Sequence, residues 1–118
     1  MVTYEFNRES RLLTPGHFKN VFENASRFSS QHFTILITQN PTDDNRLGLA
    51  IAKKRVKLAV ERNRIKRLIR ESFRLNRHNL PSIDMVVMVK SGIDKLDNQE
   101  INQQIESIWR KINRRHKK

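Results

Sequence analysis

Cysteine is absent from the 118 residues of the chain, which removes disulfide frameworks, thiolate nucleophiles, cysteine zinc sites and thiol redox chemistry at a stroke. Acidic residues are scarce: 12 Asp plus Glu face 24 Lys plus Arg, leaving a formal net charge of +12. Such an imbalance calls for a polyanionic partner. Long apolar runs are missing too, the strongest being Met85 to Val89, far short of what crosses a bilayer. The opening stretch is interrupted by Glu5, Arg8, Glu9 and Arg11 and lacks the apolar centre of a secretory signal. A cytoplasmic protein without a membrane partner is the expectation. Anionic membrane surfaces attract amphipathic helices in chains with little else, whereas this chain has the patterning of a folded domain. Neither an internal repeat nor a low-complexity block is present. One domain over residues 1–118 is expected, with residues 1–11 and the basic end, 114–118, flexible.

What is there reads as alternating helices and strands. Thr14 and Pro15 form a helix start, after which Phe18, Val21, Phe22 and Ala25 fall on one face. From His32 to Gln39 the pattern alternates, with Phe33, Ile35 and Ile37 on one side and Thr34, Leu36 and Thr38 on the other. Pro41, Asp43 and Asp44 make a turn, and Arg46 to Ala52 follows as a second strand, expected to pair with the first as a hairpin. Its Gly48, Ala50 and Ala52 would form an unusually flat face. Lys57 to Arg77 reads as a long helix ended by Asn79 and Pro81, and Asp84 to Lys90 as a third strand. Asn98 is the expected cap of a last helix carrying Ile101, Ile105, Ile108, Trp109 and Ile112. The order is α-β-β-α-β-α, with room for a further short strand.

The long helix carries the functional signal. At ~100° per residue, Leu58, Leu68, Ile69, Ser72 and Phe73 cluster around Ile65 as a buried stripe. Arg62, Lys66, Arg70 and Arg77 line one flank, Asn63, Arg67 and Arg74 lie opposite the stripe, and Arg64 takes the other flank. A solvated helix face explains most charge runs, but such faces mix signs so that opposite charges meet. Here only Glu61 and Glu71 are acidic, and Lys53, Lys54, Arg55 and Lys57 crowd the helix N-terminus, where the macrodipole favours anions. Folding alone does not select this pattern. Phosphates would supply the missing negative charge, with arginine suited to bidentate contacts and Asn63 to a sugar or base edge. A second surface would combine the flat strand face with Phe18 and Phe22, either as exposed rings that stack on single-stranded bases or as core anchors of their helix. Spacing does not separate these.

The run Arg62-Asn63-Arg64-Ile65-Lys66-Arg67-Leu68-Ile69-Arg70-Glu71, preceded by Gly48-Leu49-Ala50-Ile51-Ala52-Lys53-Lys54, resembles the signature of the protein subunit of bacterial ribonuclease P. The likeness extends to Arg11-Leu12 with Phe18, Val21 and Phe22, and to Asp84-Met85-Val86-Val87. Leu36 stands where many members carry an aromatic, and Arg55-Val56-Lys57 replaces a region where a glycine is common. The resemblance implies an α/β (α+β) two-layer sandwich with a mixed sheet and a left-handed β-α-β crossover, against the general right-handed rule. It implies an accessory, non-catalytic chain, one per catalytic RNA subunit, with magnesium held mainly by that RNA. The holoenzyme would hydrolyse one phosphodiester of precursor tRNA and release the 5′ leader. Arg62, Asn63, Arg64, Lys66, Arg67 and Arg70 would contact the RNA subunit, and Phe18, Phe22, Leu36, Lys53, Lys54 and Arg67 would face the leader.

Two rivals compete with that reading. A self-sufficient nuclease would need ligands or acid-base groups from Asp43 and Asp44, Asp94 and Asp97, or His17, His32 and His78. The aspartates fall in turns, where Asp is favoured for local hydrogen bonding, and the histidines lack a spacing that unites them. A structural RNA-binding protein, ribosomal or otherwise, fits size and charge equally well, and only the motif separates it.

Overall fold

The computed structural model describes residues 26–39 and 45–116. The helix expected around Phe18 and Phe22, the turn at Asp43 and Asp44, and residues 1–11 lie outside them. Four strands, β1 (Ser26–Ser29), β2 (Phe33–Gln39), β3 (Arg46–Ala50) and β4 (Ile83–Val89), join two helices, α1 (Ala59–Asn76) and α2 (Asn98–His116). Short 3₁₀ turns at Arg77–Asn79 and Ile93–Lys95 follow α1 and precede α2. The short additional strand is β1, whose Phe28 sits opposite Ile35.

The sheet runs β1-β2-β4-β3, so the expected hairpin of β2 with β3 is corrected. Both strands instead flank β4: β2 antiparallel to it, with Ile35 opposite Val87, and β3 parallel to it, with Leu47 opposite Met85. The reason lies in β4 itself. Ile83, Asp84, Met85, Val86 and Val87 are all buried, and a strand covered on both faces belongs in the centre, with a neighbour on each side. A turn-forming sequence between two strands says that the chain reverses, not that the strands pair.

One face of the sheet carries Phe33, Ile35, Ile37, Leu47, Met85 and Val87, and packs into a single core with Ile65, Ile69 and Phe73 of α1 and Ile101, Ile105, Trp109 and Ile112 of α2. The helices are stitched together inside that core. The Trp109 indole Nε1 donates to Ser72 Oγ at 2.8 Å, and the Phe73 and Trp109 rings stand 6.2 Å apart, tilted by 60°, within the range over which aromatic pairs attract. The other sheet face holds a smaller apolar cluster of Leu36 and Val86 with Ala50 and Met88 against it. There Arg46 grips the buried Asp84 with two hydrogen bonds, Nε to Oδ1 at 2.7 Å and Nη2 to Oδ2 at 2.6 Å.

Helix ends follow local chemistry. Pro81 cannot continue α1, and the side chain of Asn45, just before β3, donates from Nδ2 to the Arg77 carbonyl at 2.7 Å, satisfying a carbonyl left over at the helix end. At α2 the expected cap moves by one residue. Asp97 Oδ1 accepts from the Glu100 amide at 2.8 Å, and Glu100 Oε1 accepts from the Asp97 amide at 3.3 Å, a reciprocal capping box. Asn98 is freed for another contact, and α2 continues as helix through His116.

Candidate nucleic-acid interface

The basic surface starts in the loop between β3 and α1. The turn Lys53–Arg55 is closed by the amides of Arg55 and Val56 donating to the Ala52 carbonyl at 3.0 and 3.1 Å. Val56 then plugs into the core with no exposed surface. A buried anchor inside a basic loop has a direct consequence: Lys53, Lys54, Arg55 and Lys57 all point to solvent.

Helix α1 follows at once, with the Leu58 carbonyl accepting from the Glu61 and Arg62 amides. Leu58 does not join the buried stripe as expected, being 63% exposed. It is the N-cap residue, a position reached before the helix passes over the sheet core. The remainder of the stripe is as the spacing indicates, with Ile65, Ile69, Ser72 and Phe73 buried and Leu68 packed against the core.

The cations of α1 divide into those held by the protein and those left open. Arg62 Nη1 donates to the carbonyls of Val56 at 2.9 Å and Lys57 at 2.8 Å, tying the loop to the helix. Arg64 is held more tightly. Its Nε and Nη2 donate to Glu61 Oε2 at 3.0 and 2.8 Å, its Nη1 to Asn98 Oδ1 at 2.6 Å, and Nη2 again to the carbonyls of Leu96 at 3.1 Å and Asp94 at 3.3 Å. This guanidinium therefore fastens α1 to the 3₁₀ turn and to the start of α2. Spacing showed only that Arg64 lies on a flank; the single readable hint was Glu61 one turn before it, an i,i+3 pair. Further along, Arg74 pairs with Glu71. That hydrogen bond holds the Glu71 carboxyl below the usual carboxylate range and raises the arginine in return.

Asn63, Arg67 and Arg70 are exposed and Lys66 is partly so; none of their side chains forms a hydrogen bond or ion pair with another described residue. Asn63 and Arg67 are one turn apart on the face opposite the stripe, and Arg70 follows one turn later on the adjoining flank with Lys66. The result is a line of donors that meets no carboxylate among the described residues.

The residues expected to face a leader are distributed over several elements. Lys53 and Lys54 are exposed in the turn after β3, and Arg67 is on α1. Leu36 lies on the sheet face away from the main core and is 8% exposed within its cluster. Phe18 and Phe22 fall outside the described residues. Among the described residues no three or more histidine and carboxylate side chains gather as a metal site would need, and no helix is long and apolar enough to cross a membrane.

Comparison with known proteins places this arrangement in a family. A family model described as Ribonuclease P matches residues 6–113. The Ribonuclease P protein component of Pseudoalteromonas translucida (strain TAC 125) is 54% identical over 117 residues, covering 99% of this chain and 84% of that protein. In structure, the chain is similar to the RNase P protein of Thermotoga maritima, with a TM-score of 0.77 and 26% identity over 86% of this chain and 96% of that one. The RNase P protein of Staphylococcus aureus shares the fold at a TM-score of 0.80, 24% identity and coverage of 86% and 93%. With a family match spanning nearly its whole length and a relative identical at more than half of its positions, this chain belongs to the ribonuclease P protein family.

Proposed function

We propose that the chain is the RNA-binding accessory subunit of ribonuclease P, docking on a catalytic RNA subunit and helping it remove the 5′ leader from precursor tRNA. Family membership supports a role in ribonuclease P and, with it, a partner RNA. The observation that carries the finer reading is the line Asn63, Arg67 and Arg70, flanked by Lys66: exposed donors without protein acceptors among the described residues. Phosphates would relieve their mutual repulsion and release counterions from the RNA. Arg62 and Arg64 belong to the same contact region, and their described bonds also shape the surface on which the free donors stand.

In this reading the protein performs no bond cleavage. Magnesium serves the holoenzyme, held mainly by the RNA subunit. The exposed Lys53 and Lys54, with Arg67, would meet the leader's phosphates, and Phe18, Phe22 and Leu36 would supply apolar contact. One protein per RNA subunit and a cytoplasmic setting complete the proposal. The test is equilibrium binding of the protein to the catalytic RNA over a range of salt concentrations. A linear fall of log K with log salt, at ~0.7 to 0.9 per phosphate contact, is expected. Affinity that ignores salt refutes it. For the leader, Phe18→Ala is expected to weaken binding of leader-bearing tRNA more than mature tRNA, and equal losses would remove Phe18 from that role.

A further inference from the structure

A cleft of about 740 Å³ opens between the last turn of α1, the 3₁₀ turn after it and the second half of α2. That volume lies within the roughly 300–1,000 Å³ of small-ligand sites. Trp109, Leu80 and Pro81 give it apolar lining. Glu106, Arg110 and Asn113 line it from α2, and their i, i+4 and i+7 spacing puts them on one helix face. Asn76 and Asn79 line it from α1 and the 3₁₀ turn. Folding uses few of these polar groups. Asn76 Nδ2 donates to the Ser72 carbonyl at 2.7 Å, but the side chains of Asn79 and Asn113 form no bond with another described residue. Glu106 and Arg110 have the order and spacing that favour an ion pair along a helix, and they too remain apart from each other and from every other described side chain. On α1, by contrast, Glu61 with Arg64 and Glu71 with Arg74 do close.

We propose that this cleft takes an unpaired guanine base of the partner RNA, with the Arg110 guanidinium donating to the base's carbonyl oxygen and adjacent five-ring nitrogen, and the Glu106 carboxylate accepting from its ring N–H and exocyclic amino group. The RNA as partner rests on the function proposed above. The choice of base follows from the two open side chains. A carboxylate and a guanidinium one helix turn apart offer two acceptor oxygens beside a fork of donors. Guanine answers both: its acceptor pair matches arginine bidentately, and two donors stand side by side on its neighbouring edge. Adenine and cytosine have one amino donor each and uracil one ring N–H, so none fills both groups. A free nucleoside triphosphate would need a nest of amides or several cations for its phosphates, and one guanidinium lines the cleft. In an RNA strand the phosphates fall outside the cleft, to a chain with a net charge of +12.

The experiment titrates the whole protein with a five-nucleotide RNA of adenosines carrying one central guanosine, and with the same strand carrying adenosine, inosine or 7-deazaguanosine there. Affinity is read by fluorescence anisotropy, and the cleft by the NMR signal of the Trp109 indole N–H, the chain's only tryptophan. The guanosine strand is expected to bind about tenfold tighter than the adenosine or inosine strand, as loss of a hydrogen bond to a charged group implies, and to shift the indole signal. Glu106→Gln should abolish the preference over inosine, which lacks the amino group. Arg110→Lys should abolish the preference over 7-deazaguanosine, which lacks the five-ring nitrogen. Both variants should melt within about 2 °C of wild type, since neither side chain has a described partner to lose. Equal affinity for all four strands, with the catalytic RNA still bound in a salt-dependent way, overturns the guanine site and leaves the accessory-subunit reading intact. A guanine preference that survives both variants overturns it too, because the base is then read elsewhere. Guanosine monophosphate binding tighter than the guanosine strand overturns the RNA as occupant and assigns the cleft to a free nucleotide. Failure of wild type to bind the catalytic RNA removes the underlying reading.

Discussion

Replacing Arg64 with alanine separates two duties that one arginine of the basic motif could have. If its main duty were phosphate contact, Arg64→Ala would leave the fold intact and flatten the salt dependence of RNA binding. The geometry predicts the reverse emphasis. The guanidinium reaches Glu61, Asn98 and the carbonyls of Asp94 and Leu96, and its side chain is 20% exposed. Its pair with Glu61 contributes about a few tenths of a kcal/mol, as i,i+3 pairs on a helix surface do. The bonds to Asn98 and to the carbonyls are charge-assisted, and losing them together is expected to cost about 2 kcal/mol after allowance for residual solvent. For a domain of this size that corresponds to roughly 8 °C in melting temperature. Differential scanning calorimetry would read the loss, and hydrogen exchange would localise it to the start of α2. The salt slope for RNA binding should change little. A melting temperature within about 2 °C of wild type, together with a slope reduced by ~0.7 to 0.9, would refute the reasoning and return Arg64 to the phosphates.

The remaining expectations probe other links. Arg67→Ala should lower the salt slope for binding the catalytic RNA by ~0.7 to 0.9 with an unchanged melting temperature, since its side chain has no described protein partner; a stability loss without a slope change would contradict this. Ser72→Ala strands the buried indole N–H of Trp109 and should cost about 1 to 3 kcal/mol in chemical denaturation; a neutral result would mean the indole finds another acceptor. The Glu71 carboxyl, held below its ordinary range by the hydrogen bond from Arg74, should titrate by NMR below an unfolded-state glutamate. Its small contribution is therefore complete above the unfolded pKa and lost as pH falls through the folded one. A midpoint at or above the ordinary glutamate value would show the pair open in solution.

Much of the fold was legible because apolar periodicity reports which side of an element is covered. The alternation in β2, the stripe Ile65, Ile69 and Phe73, and the isoleucines of α2 all pack as their spacing indicates. Strand order was not legible from the turn at Pro41, because pairing is decided by the whole sheet; the near-continuous apolar run of β4 was the available signal that it sits centrally. The α2 cap was readable, since Asp97 and Glu100 stand at capping-box spacing, yet Asn98 drew the assignment as another good cap residue. Leu58 fits the angular stripe but not its length, and an angle carries no information about where the core stops. The basic site was visible as a set of charges, while the division between held and open arginines required the turn Ile93–Lys95 and Asn98, some thirty residues away in sequence, to be placed beside α1.

The central claim, that this chain assists an RNA that does the chemistry, is tested most directly by reconstituted cleavage. Precursor tRNA is incubated with purified protein, with catalytic RNA at low magnesium, or with both, and leader release is followed on a gel. Negligible release by the protein alone and rapid release with both components together is the predicted result. Leader release by the protein without RNA, or no effect of the protein on the RNA's activity at low magnesium, would contradict it.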